Sequence, residues 1–165
     1  MTLKIGDIAP NFTMPIDNNS TVNLLDLAGK VVVLYFYPKD DTPGCTIEAG
    51  DFNKLKLEFE KMNAVIIGVS KDDLNSHDKF KKKYCLDFDL ASDSNSDTCE
   101  KYGVWVEKSM FGKKYMGVNR ATFLIDKKGK IAYIWSKVQV AGHAEDVLNQ
   151  VRKIIDLLHN TNYNN

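Results

Sequence analysis

The sequence contains no Cys-x-x-Cys, and no pair of cysteines or histidines falls at metal-ligand spacing. The first absence argues against a dithiol exchange centre and the second against zinc. Only three cysteines occur in 165 residues, Cys45, Cys85 and Cys99. An odd, widely spaced set is not a disulfide framework, which makes a reducing cytoplasm the expected compartment. No apolar run approaches the roughly 20 residues needed to span a bilayer. The opening "MTLKIGDIAPNF" lacks the apolar core of a secretion signal. Excess charge of one sign is missing too. Lysine plus arginine and aspartate plus glutamate number 22 each, so no global field recruits nucleic acid or an anionic membrane. There is no internal repeat, and the only biased stretch is the polar "NTNYNN".

What is present suffices for one domain with its own core, 44% hydrophobic and 27% charged. Its expected extent is residues 1–158, followed by a polar tail over 159–165. Two short extended runs around Asn18, Asn19 and Ser20 predict an N-terminal hairpin. "KVVVLYFYP" and "AVIIGVS" are continuous apolar runs, the pattern of strands buried on both faces. Between them Phe52, Leu55, Phe59 and Met62 recur at helical spacing. "DDLNSHDKFKKKYC" predicts a basic helix with a narrow apolar stripe, "FDLASD" a short strand, and "SDTCEKYG" a short helix ending at Gly103. "ATFLIDKKGKIAYIWS" predicts a hairpin turning at Lys128-Gly129. The stripe Val147, Val151, Ile154, Ile155, Leu158 predicts a closing helix from Gly142. Alternating strands and helices give parallel strands with crossover helices, and the late hairpin adds antiparallel edge strands. This is an α/β, thioredoxin-like pattern with an N-terminal β-hairpin extension and a segment inserted near residues 85–119.

Function must come from a site, and the stretch "YPKDDTPGCTIEAG" is the one that offers chemistry. Thr42 suits an N-cap, Pro43 the first helical position, and Cys45 then falls in the first turn. Unpaired backbone N–H groups and the positive end of the helix dipole favour negative charge on a sulfur there. The carboxyl end of a central strand is also where open α/β sheets bind ligands. A cysteine is often just a small buried hydrophobe, but this placement favours a nucleophile. A cysteine hydrolase would need a histidine base, and His77, His143 and His159 read as solvated helix residues. Glu48, one turn past Cys45, reads either as an anchor for the helix start or as an exposed first-turn carboxylate. "KFKKKY" reads as a solvated helix face.

Pro38, Thr42 and Cys45 in "PKDDTPGC" resemble the Pro-x-x-x-Thr-x-x-Cys motif of peroxiredoxins. The stretch "YGVWVEKSMFGKKYMGVNRATFLID" resembles the signature of the bacterioferritin comigratory, or Q-type, subfamily, and the resemblance runs from "GDIAPNF" to "GHAEDVL". It implies the peroxiredoxin type of thioredoxin-like fold and a thiol-specific peroxidase that reduces hydrogen peroxide and organic hydroperoxides. Cys45 would be the peroxidatic thiolate, converted to a sulfenic acid. Arg120, in "NRATF", would stabilise the thiolate and the leaving oxygen. Thr42 would orient the peroxide, and Pro38 would limit water at the sulfur. No metal, flavin or haem is implied. Trp105, Met110, Phe111 and Tyr115 belong to the same signature, and packing is expected of them ahead of bordering the pocket.

Many relatives carry a resolving cysteine five residues after the first, where this chain has Gly50. Three routes then reduce Cys45. An external thiol from thioredoxin, a glutaredoxin or glutathione, in a one-cysteine cycle, is favoured. Resolution by Cys85, at the end of the helix "HDKFKKKYC", comes second, and by Cys99, for which packing is expected, third. The protein is expected to be monomeric, with neither nucleic acid nor membrane as a partner. The alternative function is a peroxide sensor or holdase with slow turnover.

Overall fold

The computed structural model describes residues 2–163, with side chains through residue 157. The N-terminal hairpin forms from β1 (Thr13–Pro15) and β2 (Thr21–Asn23), paired antiparallel. A 3-10 turn (Leu24–Leu27) leads into β3 (Val31–Phe36), which is buried at every position. After it come α1 (Pro43–Lys54), α2 (Lys56–Lys61), β4 (Ala64–Ser70), α3 (Leu74–Tyr84), β5 (Asp89–Ser92) and α4 (Thr98–Lys101). A second ribbon, β6 (Trp105–Met110) and β7 (Lys113–Val118), precedes β8 (Ala121–Ile125), β9 (Ile131–Trp135) and α5 (His143–Tyr163).

The central sheet has the order β5-β4-β3-β8-β9. β3, β4 and β5 run parallel, while β8 is antiparallel to β3 and β9 antiparallel to β8. The late hairpin is therefore not all edge: β8 lies inside the sheet, beside β3. Side chains of a strand alternate between faces, and β3 supplies two cores by that rule. Val32, Leu34 and Phe36 join the cluster containing Phe12, Tyr102 and Phe123. Val31, Val33 and Tyr35 join the other, with Phe52, Phe59, Val147 and Cys45. The junction that carries Cys45 is thus set into the face covered by α1 and α5.

Several local features differ from the sequence reading or add to it. The helix carrying Phe52 and Phe59 is broken at Leu55, whose backbone (φ −98°, ψ 3°) separates α1 from α2. The segment around 105–118 is a hairpin turning at Phe111-Gly112, both with positive φ (53° and 78°). Such a two-residue turn is signalled by glycine at its second position, but phenylalanine at the first conceals it. The packing expected of its four apolar residues holds for Trp105 and fails for the other three. Trp105 is half-buried against the core, whereas Met110 and Tyr115 are exposed and Phe111 is 98% exposed. At the C-terminus α5 runs through Tyr163, into the segment read as a polar tail. No proline or glycine interrupts it there. Among the described residues no helix is long and apolar enough to cross a membrane.

Candidate active site

β3 ends at Phe36, and the chain passes through Tyr37 to Asp41 before α1 begins at Pro43. Cys45 sits in the first turn of α1 with 1% of its surface exposed. Arg120, between β7 and β8, arrives from the neighbouring strand. One guanidinium nitrogen lies 3.3 Å from Cys45 Sγ and donates to it, and the other donates to Glu48 Oε1 at 2.7 Å. Cys45 and Glu48 stand three residues apart on α1, so they share a helix face. A single planar fork can therefore bridge both.

Gly44 is what admits that fork. A Cβ built there would lie 3.1 Å from the Arg120 guanidinium, closer than ordinary packing allows without movement. Glu48 is buried, and its second oxygen, Oε2, has no partner. Burial raises its carboxyl to about 7, against the opposing pull of Arg120. A second cation stands nearby. Lys108 of β6 donates to the Val118 carbonyl, and burial, then Arg120, lower its ammonium from the ordinary value.

Thr42 occupies the N-cap position, but its hydroxyl makes no capping bond. It donates instead to the Lys39 carbonyl at 2.8 Å, so the hydroxyl proton is committed and its lone pairs are left to accept. Pro38 is half-buried directly after Tyr37. The structure thus brings Cys45 and Arg120 into contact and places Thr42 and Pro38 on the loop leading to them. Glu48 was the functional neighbour that the sequence left undecided. The i,i+3 spacing from Cys45 was its only signal.

The other cysteines are elsewhere. Cys85 is exposed at the C-cap of α3, in left-handed conformation (φ 53°). Its carbonyl accepts from Asn53 Nδ2, at the end of α1. Cys99 is buried in α4, where its backbone N–H donates to Asp93 Oδ2 at 2.8 Å. All three thiols are free. His77 and His143 are not solvated helix residues. Both are buried, His77 against Asp40 and the Ala91 carbonyl, His143 against Thr122. Burial lowers His143 to about 4, which leaves it neutral near pH 7. The side chain of His159 lies outside the described residues.

Comparison with known proteins agrees with this architecture. Residues 5–134 match the model of the AhpC/TSA family. The putative peroxiredoxin Bcp of Coxiella burnetii is 49% identical over 151 residues, covering 92% of this chain and 100% of its own. Peroxiredoxin Bcp of Bacillus subtilis is 47% identical, covering 92% of this chain and 97% of its own. Among solved structures, the bacterioferritin comigratory protein of Xanthomonas campestris, described for alkyl peroxide reduction, superposes with a TM-score of 0.82. It is 42% identical, and the match spans 86% of this chain and 90% of that one.

Proposed function

The chain belongs to the AhpC/TSA family as a peroxiredoxin, a thiol-dependent peroxidase, and we propose that Cys45 is its peroxidatic residue. The observation that carries this reading is the Arg120 guanidinium on Cys45 Sγ at the start of α1. In the proposed step the Cys45 thiolate attacks one oxygen of a hydroperoxide. A sulfur–oxygen bond forms as the oxygen–oxygen bond breaks. Sulfur is oxidised to a sulfenic acid, and the departing alkoxide or hydroxide takes a proton to leave as alcohol or water. Arg120 stabilises the charge that moves from sulfur to the leaving oxygen, because its donors are already fixed in a water-poor pocket. Thr42 accepts from the peroxide hydroxyl, and Pro38 screens the sulfur. Two equivalents of thiol then return Cys45 to its resting form, releasing water and a disulfide.

Hydrogen peroxide and organic hydroperoxides are the proposed substrates. With glycine at position 50, an external thiol from thioredoxin, a glutaredoxin or glutathione is the preferred reductant. Cys85 is the internal alternative, since it is exposed and its loop touches the end of α1. One chain carries every part of the site, which fits a monomer, and three free thiols fit a reducing cytoplasm. The test is peroxide consumption with each thiol, combined with trapping of the sulfenic acid after one peroxide equivalent. Sulfenic acid at Cys45 and turnover retained in Cys85→Ser are the expected results. A Cys45–Cys85 disulfide with turnover lost in Cys85→Ser would replace the one-cysteine cycle by an internal one.

A further inference from the structure

The loop that carries Thr42 is held from behind by a buried polar network. Asp40, two residues before Thr42, has a carboxylate that accepts from three donors. Tyr37 Oη reaches Oδ1 at 2.5 Å, while Ser76 Oγ at 2.8 Å and His77 Nδ1 at 2.6 Å reach Oδ2. The Asp40 and His77 side chains are only 3% and 1% exposed. The other ring nitrogen, His77 Nε2, lies 3.0 Å from the Ala91 carbonyl of β5. A carbonyl can only accept, so Nε2 carries a proton. The Nδ1–Oδ2 contact shares a further one. Asp72 completes the group, its Oδ2 accepting from Asp40 N–H at 2.8 Å and from Ser70 Oγ at 2.6 Å. Asp40, Asp72 and His77 stand close enough together to suggest ligands for a metal. Each is already bonded within this network.

The network reaches the active site through one peptide unit. Its N–H, that of Asp40, donates to Asp72, and its carbonyl, that of Lys39, accepts from the Thr42 hydroxyl. Rotation of this peptide would break both bonds and release the Thr42 hydroxyl. The Asp40 side chain, locked to α3 by Ser76 and His77, opposes that rotation. Asp41 adds a second tie to the same helix, through Lys83 and Tyr84. That tie is exposed, and exposed ion pairs contribute little. The buried tie is the stiff one.

We propose that Asp40 and His77 are positioning residues for the peroxide reaction. Their buried pair fixes the Lys39–Asp40 peptide, and through it the hydroxyl of Thr42, in the orientation that receives a peroxide at Cys45. The proposal rests on the assignment of Cys45 and Thr42 above. It differs from a general stabilising role in one way: its effect passes through Thr42.

The experiment measures two rates in the full chain, peroxide reduction and alkylation of Cys45 by iodoacetamide. Alkylation needs the sulfur but not the Thr42 hydroxyl. Asp40→Asn and His77→Leu are expected to slow peroxide reduction by about 10- to 100-fold, the scale of a small misplacement of a reacting group. Alkylation should stay within about twofold, a shift too small to signal a lost positioning effect. His77→Gln, which keeps one donor towards Asp40, should recover part of the rate. In a Thr42→Val background the further loss from either change should largely disappear, because both act on one element. Should His77→Leu fail to fold, Ser76→Ala and Tyr37→Phe each remove one donor from Asp40 and undergo the same coupling test. Unchanged peroxide rates, equal losses in both reactions, or full additivity with Thr42→Val would each overturn the positioning role. A wild-type protein that consumes no peroxide would instead overturn the assignment of Cys45.

Discussion

Cys45 and Cys99 are alike in nearly everything that a sequence or a burial map records. Each lies in the first turn of a helix that follows a strand of the central sheet, with 1% and 0% of its surface exposed. They differ in the charge opposite the sulfur. Cys45 faces the Arg120 guanidinium, which donates to it. Cys99 faces the Asp93 carboxylate, and burial followed by this carboxylate pushes its thiol far up. A helix start and a dry pocket do not by themselves make a nucleophile. In general a fixed cation beside a sulfur favours negative charge on it and a fixed anion opposes it.

The strongest way to break this contrast is to exchange each sulfur for oxygen. Cys45→Ser is expected to abolish peroxide reduction, because a hydroxyl cannot form the sulfenic acid. Cys99→Ser should turn over at the wild-type rate and lose only stability. Peroxide consumption by both variants, beside their thermal midpoints, checks the pair. Substantial activity in Cys45→Ser would falsify the assignment of the nucleophile.

Removing the partner rather than the sulfur tests the sign argument itself. Arg120→Gln deletes the donor to Sγ and is expected to slow peroxide reduction by about 10²- to 10³-fold, the usual effect of losing one charge-stabilising donor. Arg120→Lys should recover only part of that loss, since a point charge cannot bridge Cys45 and Glu48 as the fork does. Single-turnover rates under excess peroxide measure both. Equal rates for the wild type and Arg120→Gln would show that the helix start suffices.

This contrast also shows what the sequence could convey. The buried strands β3 and β4, the N-terminal hairpin and the closing helix were legible because periodicity and turn residues are local signals. So was the placement of Cys45, which depends on Pro43 and Thr42 at a strand-to-helix junction. Glu48 was not, because its burial depends on Arg120, seventy-two residues away. The histidines failed for a similar reason. His77 looks solvated on a lysine-rich helix, and only the approach of Asp40 and β5 makes it a buried partner. The β6–β7 turn stayed hidden because Phe111 occupies a left-handed position that glycine or asparagine normally fills.

Glu48 sharpens the comparison in the other direction, since it places a carboxyl group near Cys45 as Asp93 does near Cys99. Burial raises Glu48 to about 7 from an ordinary 4.5. Between those values the unfolded chain is ionised at this position while the folded chain holds the proton. Stability therefore falls as pH rises through that window and levels off above it. Glu48→Gln removes the ionisation. Its thermal stability relative to wild type should grow from about pH 4.5 to 7, reaching a gain on the order of 3 kcal/mol. Above pH 7, where Glu48 is ionised in the folded chain, peroxide reduction should nevertheless slow, because the amide holds Arg120 less tightly than a carboxylate does. A stability difference independent of pH would show that Glu48 is not protonated in the folded protein near neutrality.

The smallest expected effect concerns access to the sulfur rather than its charge. Gly50 lies inside α1, half-buried, and a Cβ there would meet nothing within 4 Å. Glycine in a helix interior costs about 0.5–1 kcal/mol relative to alanine, so Gly50→Ala should stabilise α1 by that amount without strain. Cys45 is buried, and local opening of α1 is the proposed route by which a thiol reaches its sulfenic acid. The same substitution should then protect the amides of α1 from hydrogen exchange about two- to fivefold and slow reduction by external thiols in proportion. Labelling of Cys99, on α4, should not change, because Gly50 is not part of that helix. If the wild-type α1 amides already exchange only through global unfolding, local opening of this helix is not the route by which a reductant reaches Cys45.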